Sequence, residues 1–255
     1  MAIALANSFQ SEWLKKKRSA ASWLVITGGF FIPAIVLISR LDNFSALGVA
    51  NASNQLWDSL YNRCWQFMAF FFLPMGVILA SSLITQLEFK NNTWKQLHTT
   101  PQSFTTIYFA KLAVIVAMMV QFFILFNIGI YLCGVIPSVF KGVPYPRETF
   151  PFAVILNSNS RYFIDCLPII ALQYLISLQF KNFLVPVGTG LAMYVAAMFA
   201  MGWKYGYIIP YTYCALNFMS GKNPGAQNIH AWAVGYFALL TVVGYILYIT
   251  KKQKG

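Results

Sequence analysis

The sequence predicts an all-α membrane protein with six transmembrane helices, an interfacial elbow helix before the first and a short cytoplasmic helix after the second. Composition supports this class, because 58% of the 255 residues are hydrophobic and 9% are charged, whereas soluble domains carry about 25% charged residues. Length supports it too, because six apolar stretches approach or exceed the roughly 20 residues that cross a bilayer core about 30 Å thick. We therefore expect residues 1–255 to form a single transmembrane domain.

Each predicted span is an apolar run bounded by polar or turn-forming residues. In chain order they cover about 20–39, 64–85, 108–136, 162–180, 183–203 and 229–250. The third run is long enough to tilt or to project beyond the lipid. The first follows a basic segment, as a signal peptide would, but its apolar run is too long and lacks a small-residue cleavage pattern, which favours a retained span.

Lysine and arginine predict the orientation of the spans. Four basic residues at 15–18 precede the first span, whereas Arg40 alone follows it, and the first span usually dominates topology. Both termini are therefore expected in the cytoplasm, with 86–106 inside and the segments 41–62, 137–160 and 205–228 outside. The net charge of +12 is spread over chain ends and loops. It indicates contact with anionic membrane lipid and not with nucleic acid.

The segment before the first span predicts an interfacial helix over residues 3–18. Leu5, Phe9 and Trp13 recur every four residues and share one helical face, while polar residues occupy the others. Such a helix can lie in the headgroup plane with its basic end toward anionic lipid. A disordered basic tail is the other interpretation.

Motifs of catalysis are missing from the sequence. No Walker pattern, nucleophile elbow or metal-ligand spacing stands out, so the chain is predicted to bind no metal or cofactor and to hydrolyse no ATP itself. His98 and His230 are expected near opposite membrane sides. No acidic residue falls in the middle of a predicted span, and Asp165, near the outer end of the fourth, is expected to pair with Arg161 one helical turn away.

Two further sets of residues leave alternatives open. The four cysteines, which are all expected near the outer side, allow three complete disulfide pairings or act as small buried apolar residues. They are Cys64, Cys133, Cys166 and Cys214. The polar side chains within spans either bond between helices or line a substrate path. They are Gln121, Asn127, Gln173 and Gln179.

The polar segment after the second span predicts a short cytoplasmic helix over residues 88–100. Pro101 ends it, because the residue before a proline avoids the helical region. Phe89, Trp94 and Leu97 give the helix a partly apolar face. That face fits either a groove on a partner protein or the lipid interface.

Three features of the sequence resemble the membrane subunits of ABC transporters of the type-2 export class, and most of all the short permeases of lantibiotic and bacitracin self-protection. The run from Glu12 to Ser19 resembles the acidic-then-basic elbow of that class. The run from Glu88 to Leu97, followed by Pro101, resembles its coupling-helix region. Lys111 then opens the third span, as a lysine commonly does there, and the six-span layout agrees over nearly the whole chain.

The resemblance implies an export permease in a bacterial cytoplasmic membrane, driven by separate ATPase subunits that bind ATP and Mg. The cargo would be a peptide, an antibiotic or a lipid-like amphiphile, and the permease would pair with an identical or related second chain. Residues of the ATPase-coupling segment would be Glu88, Phe89, Thr93, Trp94, Lys95, Leu97 and Pro101. Residues of the elbow would be Glu12, Trp13, Lys15, Lys17 and Arg18.

Two other classes of function stay open from the sequence. One is a membrane protein without transport activity, such as an assembly factor or the partner of a sensor. The other is a secondary carrier, which would usually place ionisable groups within the membrane. A neighbouring gene for an ATPase with Walker motifs would favour the ABC permease.

Overall fold

The structure is a computed structural model that describes residues 2–17, 19–90, 103–220 and 228–253. These residues form helices and turns without a β-strand. Five helical stretches within them are long and apolar enough to cross a membrane, and a sixth apolar helix is shorter. The predicted all-α polytopic fold is confirmed. The predicted coupling helix over 88–100 lies almost entirely outside the described residues.

The first 52 residues of the chain contain an elbow helix, one span and a short helix. Helix α1 covers Ala2–Lys16 and α2 covers Ala20–Asp42. Ser19 separates them and caps α2, because its Oγ accepts a hydrogen bond from the backbone N–H of Ser22 at 3.4 Å. A short helix, α3, follows over Phe44–Ala52. It lies in the segment predicted outside, which is thus partly helical.

The second predicted span begins earlier than the sequence indicated. Helix α4 covers Leu56–Phe67 and continues through one π-helical turn into α5, Leu73–Lys90. The prediction began at residue 64 because α4 is amphipathic, so its polar face lowers the average hydropathy. Its other face is buried through residues that include Leu56, Leu60 and Cys64.

The third and fourth spans are longer than predicted. Helix α6 covers Phe104–Lys141 and α7 covers Phe152–Gln179. Helix α7 begins ten residues before the predicted start of the fourth span at residue 162, because the polar run 157–161, which resembled a loop, is helical. Gly142 ends α6 with a φ of +64°, a conformation that glycine adopts without steric cost.

The last third of the chain contains two apolar helices and a folded segment between them. Helix α8 covers Leu184–Ala200, whose 17 residues rise about 25 Å, slightly less than a typical bilayer core. Two 3₁₀ turns, Gly206–Ile208 and Pro210–Thr212, lead to α9, Tyr213–Ser220. The final helix, α10, covers Ile229–Gln253.

Helix α6 is central in the bundle. It packs along α1 and α2 and also contacts α4, α5, α7 and α10, while α7 packs mainly on α5 and α10. A small residue allows one of these close approaches, since a Cβ on Gly129 would lie 2.8 Å from the Pro33 ring of α2. Between α4 and α7, the rings of Trp65 and Tyr162 stack with centroids 3.7 Å apart. The core thus joins the described helices into one packed unit.

Candidate functional site

A stripe of polar side chains on α1 is turned toward the protein. Ser8, Glu12 and Lys16 follow one another at intervals of four residues and are all buried. Of the predicted apolar face, Leu5 is exposed at 41%, whereas Phe9 and Trp13 pack against the core. The elbow therefore packs on the protein through its polar stripe and through two of its aromatic residues. The four-residue spacing of Ser8, Glu12 and Lys16 in the sequence indicates that these polar side chains share one face of the helix.

The centre of the polar stripe is an ion pair between the elbow and the third span. The Nζ of Lys111 on α6 lies 3.0 Å from Oε2 of Glu12, and the ammonium of Lys15 contacts the other carboxylate oxygen. Burial raises the pKa of Glu12, but the attraction of Lys111 and the bonds from Lys15 outweigh it. The pKa therefore lies below its ordinary 4.5, so the carboxylate is charged at neutral pH.

A second elbow contact is made one helical turn further along α1. The Nζ of Lys16 donates to Oε1 of Gln121 at 2.5 Å and lies 3.7 Å from the ring centroid of Trp13. Lys111 and Gln121 are ten residues apart, or about 15 Å along a helix axis. The elbow thus contacts α6 at two separate positions along the helix. Lys17 is exposed, and Arg18 lies outside the described residues.

The predicted coupling segment begins where the described part of α5 ends. Glu88 and Phe89 belong to the last turn of α5 by their backbone. The other predicted coupling residues lie outside the described residues, and their role stays a prediction. They are Thr93, Trp94, Lys95, Leu97 and Pro101.

The first turns of α6, directly after the coupling segment, contact three other helices. The hydroxyls of Thr105 and Tyr245 on α10 lie 2.7 Å apart. The hydroxyl of Tyr108 donates to the carbonyl of Thr241 on α10 at 3.0 Å, and the carbonyl of Tyr108 accepts from Tyr174 on α7 at 3.1 Å. Lys111 forms the ion pair with Glu12 on α1. We call Thr105, Tyr108 and Lys111 the α6 entry cluster.

A buried polar network joins α5, α7 and α8. The Nε2 of Gln173 donates to the Ser82 hydroxyl at 2.9 Å and to the Pro186 carbonyl at 2.6 Å. The hydroxyl of Tyr211, in the folded segment after α8, lies 3.5 Å from Oε1 of Gln173. Gln173 is fully buried. Its contacts match the interhelical alternative, whereas Gln179 is only half-buried in the last turn of α7.

A pair of asparagines joins α6 and α7. The Nδ2 of Asn159 donates to Oδ1 of Asn127 at 2.9 Å, and the Nδ2 of Asn127 donates to the backbone carbonyl of Phe123 at 2.6 Å. Both asparagines line a lateral groove between the two helices. Asn159 was missed at the sequence level because its polar run was assigned to a loop.

Asp165 has different partners from those predicted. It lies midway along α7, is fully buried, and accepts a hydrogen bond from Asn217 at 2.8 Å. Nδ1 of His230 lies 2.8 Å from its other oxygen. The predicted pairing with Arg161 is wrong, because Arg161 is exposed while Asp165 faces α9 and α10. The carboxylate is also deeper in its helix than predicted, because α7 begins earlier.

All four cysteines are buried and free. The sulfurs of Cys166 on α7 and Cys214 on α9 lie 3.5 Å apart, and the Cys133 thiol donates to the carbonyl of Pro33 at 2.9 Å. The cysteines thus act in packing, which is one of the two alternatives left open by the sequence.

Comparison with known proteins decides the family. A family model described as "ABC-2 family transporter protein" matches residues 8–199, which run from the middle of α1 almost to the end of α8. The chain belongs to the ABC-2 transporter family. As a member it is a multi-pass membrane protein and the permease subunit of an ABC transporter. Searches of curated proteins and of solved structures found no match. The lantibiotic and bacitracin subgroup stays a prediction.

Proposed function

We propose that this chain is the permease of an ATP-driven exporter in a bacterial cytoplasmic membrane, and that it expels a peptide, an antibiotic or a lipid-like amphiphile. Separate ATPase subunits bind ATP and Mg and dock on residues 88–100. Two permease chains, identical or related, pair above two ATPases. Both termini and the docking segment face the cytoplasm, as the bias of Lys and Arg predicts.

The observation that carries this proposal is the position of the α6 entry cluster. Its three residues lie 4 to 10 positions after Pro101, the residue that ends the predicted docking segment. They contact α1, α7 and α10 through an ion pair and hydrogen bonds. A displacement of the docking segment therefore has a short covalent path to α6. From α6 it reaches three other helices at once.

Helix α6 is suited to carry such a displacement across the membrane. It is continuous over 38 residues, or about 57 Å, and its backbone hydrogen bonds make it a stiff element. When ATP closes the ATPase dimer, the docked segments move together, and α6 shifts with the helices bonded to its entry cluster. In this mechanism Trp94 and Leu97 anchor the contact with the ATPase, while Glu88 and Lys95 pair with charges on it.

Co-purification tests the proposal directly. The chain is expressed with the ATPase encoded beside its gene, extracted in mild detergent, and weighed by native mass spectrometry. We expect a complex of two permeases and two ATPases whose ATP hydrolysis is stimulated by its cargo. An ATPase with its Walker lysine replaced serves as the matched control for hydrolysis. A stable lone permease that transports cargo in liposomes without an ATPase would contradict the proposal.

A secondary carrier is the second candidate, and Asp165 is the observation that favours it. Carriers use buried intramembrane carboxylates as proton relays, and Asp165 contacts a histidine midway along α7. The variant Asp165→Asn keeps the size of the side chain and removes its charge. ATP-driven transport by this variant supports the ABC exporter. Transport by the folded wild-type chain in liposomes with a proton gradient and no ATPase, lost in Asp165→Asn, supports the carrier.

A further inference from the structure

The groove between α6 and α7 has the properties of a ligand site. It encloses about 510 Å³ and is lined mainly by the C-terminal half of α6 and the N-terminal half of α7, with residues such as Phe123, Tyr131 and Phe163. Its rim residues Ile124 and Leu156 are 55% and 57% exposed. The groove therefore opens sideways. In a membrane protein this direction leads to the bilayer or to a second chain.

One buried polar atom of a residue that lines the groove has no partner among the described residues. Asn159 lines the groove and is 7% exposed. Its Nδ2 donates to Asn127, while its Oδ1 is buried without a hydrogen bond. A buried acceptor left unpaired is costly, and most of all where no water can reach it. The acyl chain of a lipid offers no donor and would leave Oδ1 unpaired.

The remaining surface of the groove limits the chemistry of its occupant. None of its lining residues is charged, and most are aromatic or branched aliphatic side chains. A cation would enter without a carboxylate partner, and an anion would meet the free Oδ1 acceptor. The fitting occupant has an apolar body and a neutral N–H or O–H donor. A small rotation of the Asn159 side chain would point its oxygen at that donor.

We propose that this groove binds an uncharged amphiphile through a hydrogen bond to Oδ1 of Asn159, with the apolar body between the aromatic walls. The inference rests on the proposed function only where it identifies this amphiphile as cargo. It narrows the cargo from amphiphiles in general to those with a neutral donor, such as the amide N–H of a lipidated or apolar peptide. It also makes the bilayer the route of entry.

A pair of matched probes tests the proposal on the full-length chain in lipid nanodiscs. One probe is an N-methyl fatty amide with a single N–H donor, and the other is its N,N-dimethyl counterpart without a donor. Both bear a diazirine in the acyl chain. We expect the donor probe to label α6 and α7 at about a tenfold lower half-saturating concentration, the typical cost of leaving a buried acceptor unpaired.

Three variants separate the groove from general lipid contact. Asn159→Ala should remove the preference for the donor probe. Ile128→Trp, which adds bulk to the wall of the groove and replaces neither asparagine, should weaken labelling by both probes. Leu239→Trp is the matched control, because Leu239 is 59% exposed on α10 and lies outside the groove. It should change neither probe.

Several results would overturn the proposal. These are equal half-saturation of wild type by the two probes, unchanged labelling of Ile128→Trp, or labelling that maps to other helices. A fourth result has two parts: the groove is not labelled, and Ile128→Trp converts a wild-type dimer to a monomer. The groove would then be a contact between two copies of the chain. Labelling requires neither ATP nor the ATPase, so its outcome is separate from that of the co-purification test.

Discussion

Removal of the Glu12 charge should release the elbow from α6. The side chains of Glu12 and Lys111 are 8% and 2% exposed, so the pair counts as buried. Breaking one partner of a buried ion pair typically costs about 3–5 kcal/mol. We expect Glu12→Gln to cost about 3 kcal/mol in the free energy of unfolding, the low end of that range, because glutamine can still accept a hydrogen bond.

A double-mutant cycle separates the interaction energy between Glu12 and Lys111 from the individual contributions of the two side chains to stability. Lys111→Met should cost less than Glu12→Gln, about 1–2 kcal/mol, because Lys15 still neutralises the Glu12 carboxylate. The double variant has neither charge, and loss of both partners can be nearly neutral. We therefore expect a coupling energy of at least about 2 kcal/mol. Lys17→Met is the control, because Lys17 is exposed.

The measurement is equilibrium unfolding in mixed detergent and SDS micelles, followed by near-ultraviolet circular dichroism. Its pH dependence adds a second test, because the folded-state pKa of Glu12 lies below 4.5. The contribution of a carboxylate with a lowered pKa is present above its unfolded pKa and is lost as the pH falls through the folded one. The difference between wild type and Glu12→Gln should therefore stay constant above about pH 5 and shrink below it. Additive single-variant costs, or a Glu12→Gln variant as stable as wild type, would refute the buried pair.

Three more predictions concern the docking segment and the α7–α8 contact. Trp94→Ala combined with Leu97→Ala should leave membrane insertion intact and weaken ATPase pull-down, whereas a lipid anchor predicts normal pull-down. A cysteine at position 92, in a background without the native cysteines, should escape an impermeant reagent in intact cells and react after permeabilisation; labelling of intact cells would reverse the topology. Gly190→Val should cost about 1–3 kcal/mol in unfolding experiments, since its Cβ would lie 2.5 Å from Oε1 of Gln173; an unchanged stability would contradict this packing.

The fold class could be predicted because span length follows from bilayer thickness and not from tertiary detail. The start of α4 could not, because α4 is amphipathic, buries one face against protein and shows no continuous apolar run. The start of α7 could not, because its short apolar run, 152–156, is separated from the rest of the helix by the polar run 157–161. The polar run 157–161 is helical, since the backbone bonds of a helix are satisfied internally whatever its side chains.

The sequence predicted which residues belong to the site better than it predicted which of them contact each other. Glu12, Lys15 and Lys111 were identified with the elbow and the third span, but their mutual ion pair depends on how α1 packs on α6. Sequence spacing within one helix does not contain that information. The same limit explains Asp165: its helical neighbour Arg161 was visible in the sequence, whereas Asn217 lies 52 positions away.

Site-specific photo-crosslinking from position 97 tests the central claim most directly. Leu97 is replaced by the photoreactive residue benzoylphenylalanine in native membranes that also contain the ATPase, and Leu239, exposed at 59% on α10, is replaced in the same way as a control. The account predicts a permease–ATPase product from position 97 and none from position 239. Crosslinks from position 97 to lipid alone, in membranes where the transporter is active, would contradict it.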